Sequence, residues 1–249
     1  MSPALVLLLI LLTILRHLLQ IINWSSALKI NPSFVVDKAQ IFRSYMIGLP
    51  LRFAMPGGHA AMGKIFFIRN SSRSASFWST ALERSYMSWG TWTLAAIAAL
   101  LYYPNLNRVL GVGILLLCLL LPLFVYLILG SNKNWRYLQA PFAKLAPRMM
   151  SVQIAANCVT YLQYWLILNS FVPLAWWQST IRMALTQFSN SIPITFAGLG
   201  LRESFAIHFL KTAGISAEQA VSATLSLFII QDVLTAVMGT WFLLRARRV

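Results

Sequence analysis

A run of twenty residues without a charge, GVGILLLCLLLPLFVYLILG at positions 111–130, limits this chain more than any other feature of its sequence. A helix of that length spans about 30 Å, the thickness of the hydrocarbon core of a bilayer. The rest of the chain offers too little polar surface for a water-soluble globule, because 59% of its residues are hydrophobic and only 10% are charged. The sequence therefore predicts an all-α, polytopic membrane protein.

Five segments have the length and apolarity of a full membrane span. They are residues 3–23, 85–103, 109–130, 149–172 and 217–244. No basic region precedes the first segment and no small-residue cleavage site follows it, so we expect a retained helix and not a signal peptide. The two cysteines, Cys118 and Cys158, fall inside spans without metal-binding or redox spacing, and we expect neither a metal nor a cofactor.

The net charge of +15 predicts an orientation in the membrane and not a nucleic-acid partner. If the five spans alternate in direction, 13 of the 20 lysines and arginines fall on one side, within residues 29–43, 69–84, 133–148 and 245–248. The positive-inside rule then places the N-terminus outside and the C-terminus in the cytoplasm, in the cytoplasmic membrane. The basic face would also suit an anionic leaflet. The cations left for membrane depth are Arg16, Arg52, Lys64 and Arg202.

Two further apolar segments, 44–68 and 174–212, are interrupted at their centres by proline and glycine. A lipid-exposed helix would lose backbone hydrogen bonds at such a break, so we predict that each segment forms a re-entrant helical hairpin. Each segment has a proline, a glycine seven residues later, and then a cation. These residues are Pro56, Gly63 and Lys64 in the first segment and Pro193, Gly200 and Arg202 in the second.

The order span, hairpin, span occurs twice, in opposite orientations. We expect one transmembrane domain over residues 1–249, in which repeat one covers about 1–104, helix 109–130 is a link, and repeat two covers about 149–245. In the predicted orientation the first hairpin enters from the cytoplasm and the second from outside. Inverted repeats with broken helices are typical of transporters, whose binding site lies near the midplane between the repeats.

Two motifs at the breaks resemble those of a known family. Residues 192–203 read IPITFAGLGLRE, and residues 56–64 read PGGHAAMGK, with Leu82-Glu83-Arg84 further on. They are similar to the patterns I-P-x-x-x-G-G-L-G-x-R-E and P-G-x-x-G-E-x-x-K of the flippase-like transmembrane region of lysylphosphatidylglycerol synthases. Ala197 replaces one family glycine, and Ala60-Ala61 replaces the family Gly-Glu pair. The likeness covers about residues 10–245, and the chain resembles a stand-alone member without the soluble synthase domain.

The resemblance implies translocation of a lipid across the bilayer, not lipid synthesis, and we expect no enzyme activity. The implied substrate is a membrane lipid with a polar, phosphate-bearing headgroup, either aminoacylated or glycosylated. The residues that we expect to contact it, from the two motifs and from the last span, are Pro56, Gly57, Gly58, His59, Lys64, Glu83, Arg84, Pro193, Gly198, Gly200, Arg202, Glu203 and Asp232.

Helix physics indicates the same kind of ligand. After each break the returning half-helix would present unpaired N–H groups and the positive end of its dipole near the middle of the membrane, which is an anion site. Lys64 and Arg202 would lie in these first turns, where a cation opposes the dipole and favours a nearby negative group such as a lipid phosphate. The alternative for Arg202 is an internal pair with Glu203 or Asp232.

The other candidate residues also have two interpretations. Asp232 lies inside the last predicted span, where a charge costs about 2.5–3.5 kcal/mol, so we expect it to pair with Arg202 or Arg182 or to serve proton coupling or headgroup binding. Glu83 and Arg84 begin a predicted span at the cytoplasmic interface, where they either anchor the helix or act on the substrate. His59, at the first hairpin tip, is either structural or titrates near neutrality.

Three classes of function remain open. The first is a lipid flippase or transporter, and the second is an integral membrane enzyme of cell-envelope lipid or glycan synthesis. Against the enzyme, the chain has no paired-carboxylate, metal-ligand or nucleotide motif and only five acidic residues. The third is a non-catalytic subunit that partners an envelope synthase. Walker motifs are absent, so transport would be downhill or ion-coupled.

Overall fold

The computed structural model describes residues 2–195 and 198–246, with the backbone alone at Pro56 and Gly57. Over these residues the chain is helical with no strand. The α-helices are α1 (Pro3–Lys29), α2 (Lys38–Leu51), α3 (Arg73–Tyr102), α4 (Arg108–Ser131), α5 (Gln139–Asn169), α6 (Trp176–Phe188), α7 (Leu201–Leu210), α8 (Ala217–Phe228) and α9 (Leu234–Leu244). A 3-10 helix, Pro56–Phe67, follows α2, and a π-helical turn, Ile229–Val233, joins α8 to α9.

Three helices in the described part of the chain are long and apolar enough to cross a membrane: α1, α4 and the continuous helix Ala217–Leu244. They confirm that three of the predicted spans are helices of spanning length, and they indicate a membrane-embedded protein. The predicted spans 85–103 and 149–172 lie within the longer helices α3 and α5, which start well before them at Arg73 and Gln139. That these two helices cross the membrane stays a prediction.

Both predicted hairpin segments consist of two helical pieces with a break between them. In the first, α2 ends at Leu51 and the chain resumes as the 3-10 helix Pro56–Phe67. In the second, α6 ends at Phe188 and α7 begins at Leu201, with a short 3-10 turn over Ser189–Ser191 between them. The 3-10 conformation of Pro56–Phe67 is unexpected, because 3-10 helices longer than 3–4 residues are uncommon.

The helices pack in three principal pairs: α1 on α5, α2 on α9, and α3 on α6. One apolar core lies around Leu9, Tyr164 and Met183, and a second lies around Trp24 and Met149. Helix α4 lies at the edge, where only Gly111 and Leu129 are buried. Its large apolar side chains point outward, as expected for a helix whose neighbour is lipid.

The pair of α2 and α9 positions the candidate site. A Cβ atom on Gly239 would lie only 2.3 Å from the Met46 carbonyl oxygen and 2.6 Å from Pro50 Cδ, so the two backbones touch at this glycine. Small residues permit such close approach between membrane helices. The contact fixes α2 against the last helix, and Arg52, which follows α2, thereby reaches Asp232 in the π turn.

Candidate functional site

Asp232 is a buried carboxylate between two arginines that come from the two different breaks. Its Oδ1 is 2.7 Å from Arg52 Nη1, and its Oδ2 is 3.9 Å from Arg202 Nη1. The predicted pairing with Arg202 is therefore present, together with a closer partner, Arg52, that was not predicted. Arg182 is not a partner, since its Nη1 donates to the Gln178 carbonyl at 3.0 Å.

Arg202 and Glu203 lie in the first turn of α7 and pair with each other. Glu203 Oε1 is 3.2 Å from Arg202 Nη2, and Glu203 Oε2 accepts a hydrogen bond from the Gly200 backbone N–H at 2.6 Å. Gly200 has a φ of +83°, a conformation that glycine adopts without strain. Glu203 therefore caps α7 and holds Arg202, so both internal pairs considered for this arginine are formed.

The first break carries a second buried ion pair, between Lys64 and Glu83. The ammonium of Lys64 also lies 3.8 Å from the ring centroid of Trp24, and Arg84 donates to the Gly58 carbonyl oxygen. One prediction is corrected here. Lys64 lies in the last turn of the 3-10 helix and not in the first turn of a half-helix, so it does not oppose the dipole at the start of its own helix. Glu83 is buried inside α3, which begins at Arg73, and its position at the start of a membrane span stays a prediction.

Arg52 connects the two breaks. A Cβ atom on Gly58 would lie 3.6 Å from Arg52 Cβ and 4.0 Å from Arg84 Nη2, so the first break lies directly beside this arginine. Arg16 donates to Thr160 Oγ1 at 3.1 Å, and the next residue, His17, contacts the carbonyl of Gln231, which precedes Asp232. We call this group the central cluster; its members are Arg16, Arg52, Lys64, Glu83, Arg84, Arg202, Glu203 and Asp232.

Three candidate residues do not enter the central cluster through their side chains. His59 and Pro193 are exposed, and Gly198 permits a backbone conformation with positive φ. Its φ is +82°, and a Cβ atom would lie 2.5 Å from Asn190 Oδ1. The surroundings of Pro56 and Gly57 are outside what the structure describes, as are the motif residues 196–197 and the basic residues 247–248.

A network of buried polar side chains lies beside the central cluster and was not predicted from the sequence. His17 Nε2 donates to the Gln231 carbonyl at 3.2 Å, and its Nδ1 lies 2.7 Å from the Tyr45 hydroxyl. Gln163 donates to Thr13 Oγ1 at 2.9 Å. A signal was available in α1, where polar residues recur at a spacing of three to four. They are Thr13, Arg16, His17, Gln20 and Asn23, which share one helix face.

Comparisons with protein-family models, with curated proteins and with solved structures found no match. The similarity of the two break motifs to lysylphosphatidylglycerol synthases thus stays a prediction.

Proposed function

We propose that this chain is a flippase or transporter for a lipid whose headgroup is polar and phosphate-bearing, with an aminoacyl or glycosyl substituent. One observation carries the proposal. The central cluster holds five cations, namely Arg16, Arg52, Lys64, Arg84 and Arg202, and three carboxylates, namely Glu83, Glu203 and Asp232. A net positive charge inside a membrane protein is unfavourable unless an anion or water compensates it.

Arg52 is the side chain best placed to receive that anion. It is 33% exposed, whereas the side chains of Arg202 and Lys64 are 5% and 8% exposed. Among residues 2–195 and 198–246 its one carboxylate contact is to Asp232 Oδ1, which leaves other guanidinium N–H groups for phosphate oxygens. The phosphate would then share Arg52 with Asp232, while Arg202 stays held by Glu203.

The packing of the helices supports an inverted repeat. The first helices of the two predicted repeats, α1 and α5, contact each other. Helix α2, in the broken segment of repeat one, packs on α9, the last helix of repeat two. Helix α6, in the broken segment of repeat two, packs on α3, the last helix of repeat one. A two-fold relation between the repeats would produce this reciprocal pattern, with both breaks near the centre. We propose that the broken segments are re-entrant and that the N-terminus lies outside.

Leaflet exchange in proteoliposomes tests this function. The purified chain is reconstituted with fluorescent phosphatidylglycerol, its lysyl ester, or phosphatidylcholine, and outer-leaflet dye is bleached by an impermeant reductant. We expect faster exchange of the lysyl ester than of the two lipids without an aminoacyl group, and loss of that exchange in Arg52→Gln. Arg108→Gln, at an exposed helix start outside the central cluster, is the matched control and should exchange normally.

Absence of exchange for every probe, in protein that keeps its helical content and thermal transition, would reject the flippase. Purification of the chain in a stable complex with an envelope synthase would then favour the scaffolding subunit. Equal exchange by wild type and Arg52→Gln would support transport but would show that the central cluster does not bind the transported lipid.

A further inference from the structure

A second candidate site lies away from the central cluster, in a cavity of about 590 Å³ between the start of α2, the end of the 3-10 helix and the end of α9. Its volume is within the range of sites that bind small molecules and cofactors. Arg43, Arg69 and Arg245 line it, together with Phe67, Trp241 and Phe242. None of the candidate residues predicted from the sequence belongs to this lining.

The three arginines are exposed and are not neutralised by the protein. Over residues 2–195 and 198–246, none of them forms an ion pair. One carboxylate lines the same cavity, that of Asp37, and it accepts a hydrogen bond from the Gln40 backbone N–H at 3.1 Å at the start of α2. The cavity therefore carries more positive than negative charge, and its arginines are available to an external anion.

Apart from Gln40, whose Oε1 accepts a hydrogen bond from the Arg69 backbone N–H at 3.1 Å, the remaining lining is apolar and aromatic, which a free inorganic anion would not need. The Arg245 guanidinium lies 3.6 Å from the Trp241 ring centroid, so the ring holds this cation at the cavity wall. Phe242 packs edge-on against Phe42 at a centroid distance of 5.6 Å. Tryptophan beside arginine is typical of the membrane interface, where a ligand has one charged and one apolar end.

The cavity is separate from the central cluster but lies on the same pair of helices. Arg43 lies in α2, and Arg52 follows the end of α2 about 13 Å further along the helix axis. The last helix likewise carries Asp232 in its middle and Arg245 at its end. The two sites therefore occupy different depths along α2 and α9.

We propose that this cavity binds an anionic phospholipid, with its phosphate between Arg43, Arg69 and Arg245 and its glycerol and upper acyl chain against Phe67, Trp241 and Phe242. Arginine pairs bidentately with phosphate oxygens, and the aromatic rings bury the apolar part of the same molecule. Lipid binding in this cavity does not require transport, so the proposal is independent of the function proposed above.

Lipid retention in native mass spectrometry tests the site with the full chain released from detergent micelles. The probes are phosphatidylglycerol, phosphatidylcholine and inorganic phosphate as a competitor. The test variant is Arg43→Gln, Arg69→Gln, Arg245→Gln. The matched control is Arg136→Gln, Lys144→Gln, Arg148→Gln, which removes three exposed cations of the predicted basic face that do not line the cavity.

We expect wild-type chain and control to retain phosphatidylglycerol in preference to phosphatidylcholine, and the cavity variant to need about tenfold more lipid for the same occupancy. Trp241→Ala should also weaken retention. Equal weakening in the control would show general attraction to a basic face and overturn the site. Displacement of the lipid by millimolar phosphate, with no effect of Trp241→Ala, would make it a phosphate site and overturn the lipid assignment.

Discussion

At the scale of single residues, the burial of Asp232 depends on two arginines in different surroundings. Arg202 is almost fully buried and is held from two sides, by Glu203 at 3.2 Å and by Asp232 at 3.9 Å. Arg52 is closer to Asp232, at 2.7 Å, but a third of its side chain is exposed. Loss of a buried partner leaves a carboxylate without compensation, whereas water replaces part of an exposed partner. The shorter contact is therefore not the more important one for stability.

Substitution of the two arginines measures this difference. Arg202→Gln should lower the free energy of unfolding by about 3 kcal/mol, because Glu203 stays buried without its cation and Asp232 keeps only the partly exposed Arg52. Arg52→Gln should lower it by about 1 kcal/mol or less. Thermal unfolding in detergent, followed by circular dichroism, gives both values. Adding Asp232→Asn to Arg202→Gln should restore part of the loss, and no restoration would mean that the long Arg202–Asp232 contact contributes nothing.

At the scale of helices, the sequence predicts the features that depend on neighbouring residues and not those that depend on contacts between distant segments. The helical spans 3–23, 109–130 and 217–244 follow from apolar length alone. The breaks near Pro56 and before Leu201 follow from proline and glycine. The 3-10 form of Pro56–Phe67 has no signature in the local sequence, and the segment packs against α2 and α3.

The pairing of Arg52 with Asp232 could not be predicted either, because it depends on a contact between distant segments. Arg52 is far from Asp232 in sequence, and only the contact of α2 with the last helix brings the two together. The π turn that carries Gln231 and Asp232 has no signature in the residues either, although π turns are frequent at functional sites. By contrast, the pair of Arg202 with Glu203 is local to α7 and was foreseeable as an alternative.

Gly239 gives a test at this scale. Gly239→Ala should destabilise the protein by about 1–3 kcal/mol, because the new Cβ atom meets the Met46 backbone oxygen, which cannot move without moving α2. Gly113→Ala is the matched control in α4, where a Cβ atom meets nothing within 4 Å, and alanine should be neutral or slightly stabilising. Thermal unfolding compares them, and equal effects of the two changes would contradict the close contact.

At the scale of the whole molecule, the cations of two distant parts of the sequence meet on one face. Arg43 and Arg69 from the first basic stretch line the same cavity as Arg245 from the last one. The charge pattern predicted that these stretches share a side of the membrane, and their proximity agrees with that prediction without fixing which side it is. The orientation depends on the positive-inside rule alone.

Labelling of the two ends of α4 tests the orientation, because Asn105 and Ser131 are exposed and lie at opposite ends of the most apolar helix. In a chain with Cys118 and Cys158 changed to serine, Asn105→Cys should react with an impermeant maleimide on intact cells. Ser131→Cys should react only after permeabilisation, which also controls for reactivity. The reverse result would invert the protein and move the arginine-lined cavity to the outer leaflet. Reaction of both cysteines on intact cells would show that α4 does not cross the membrane.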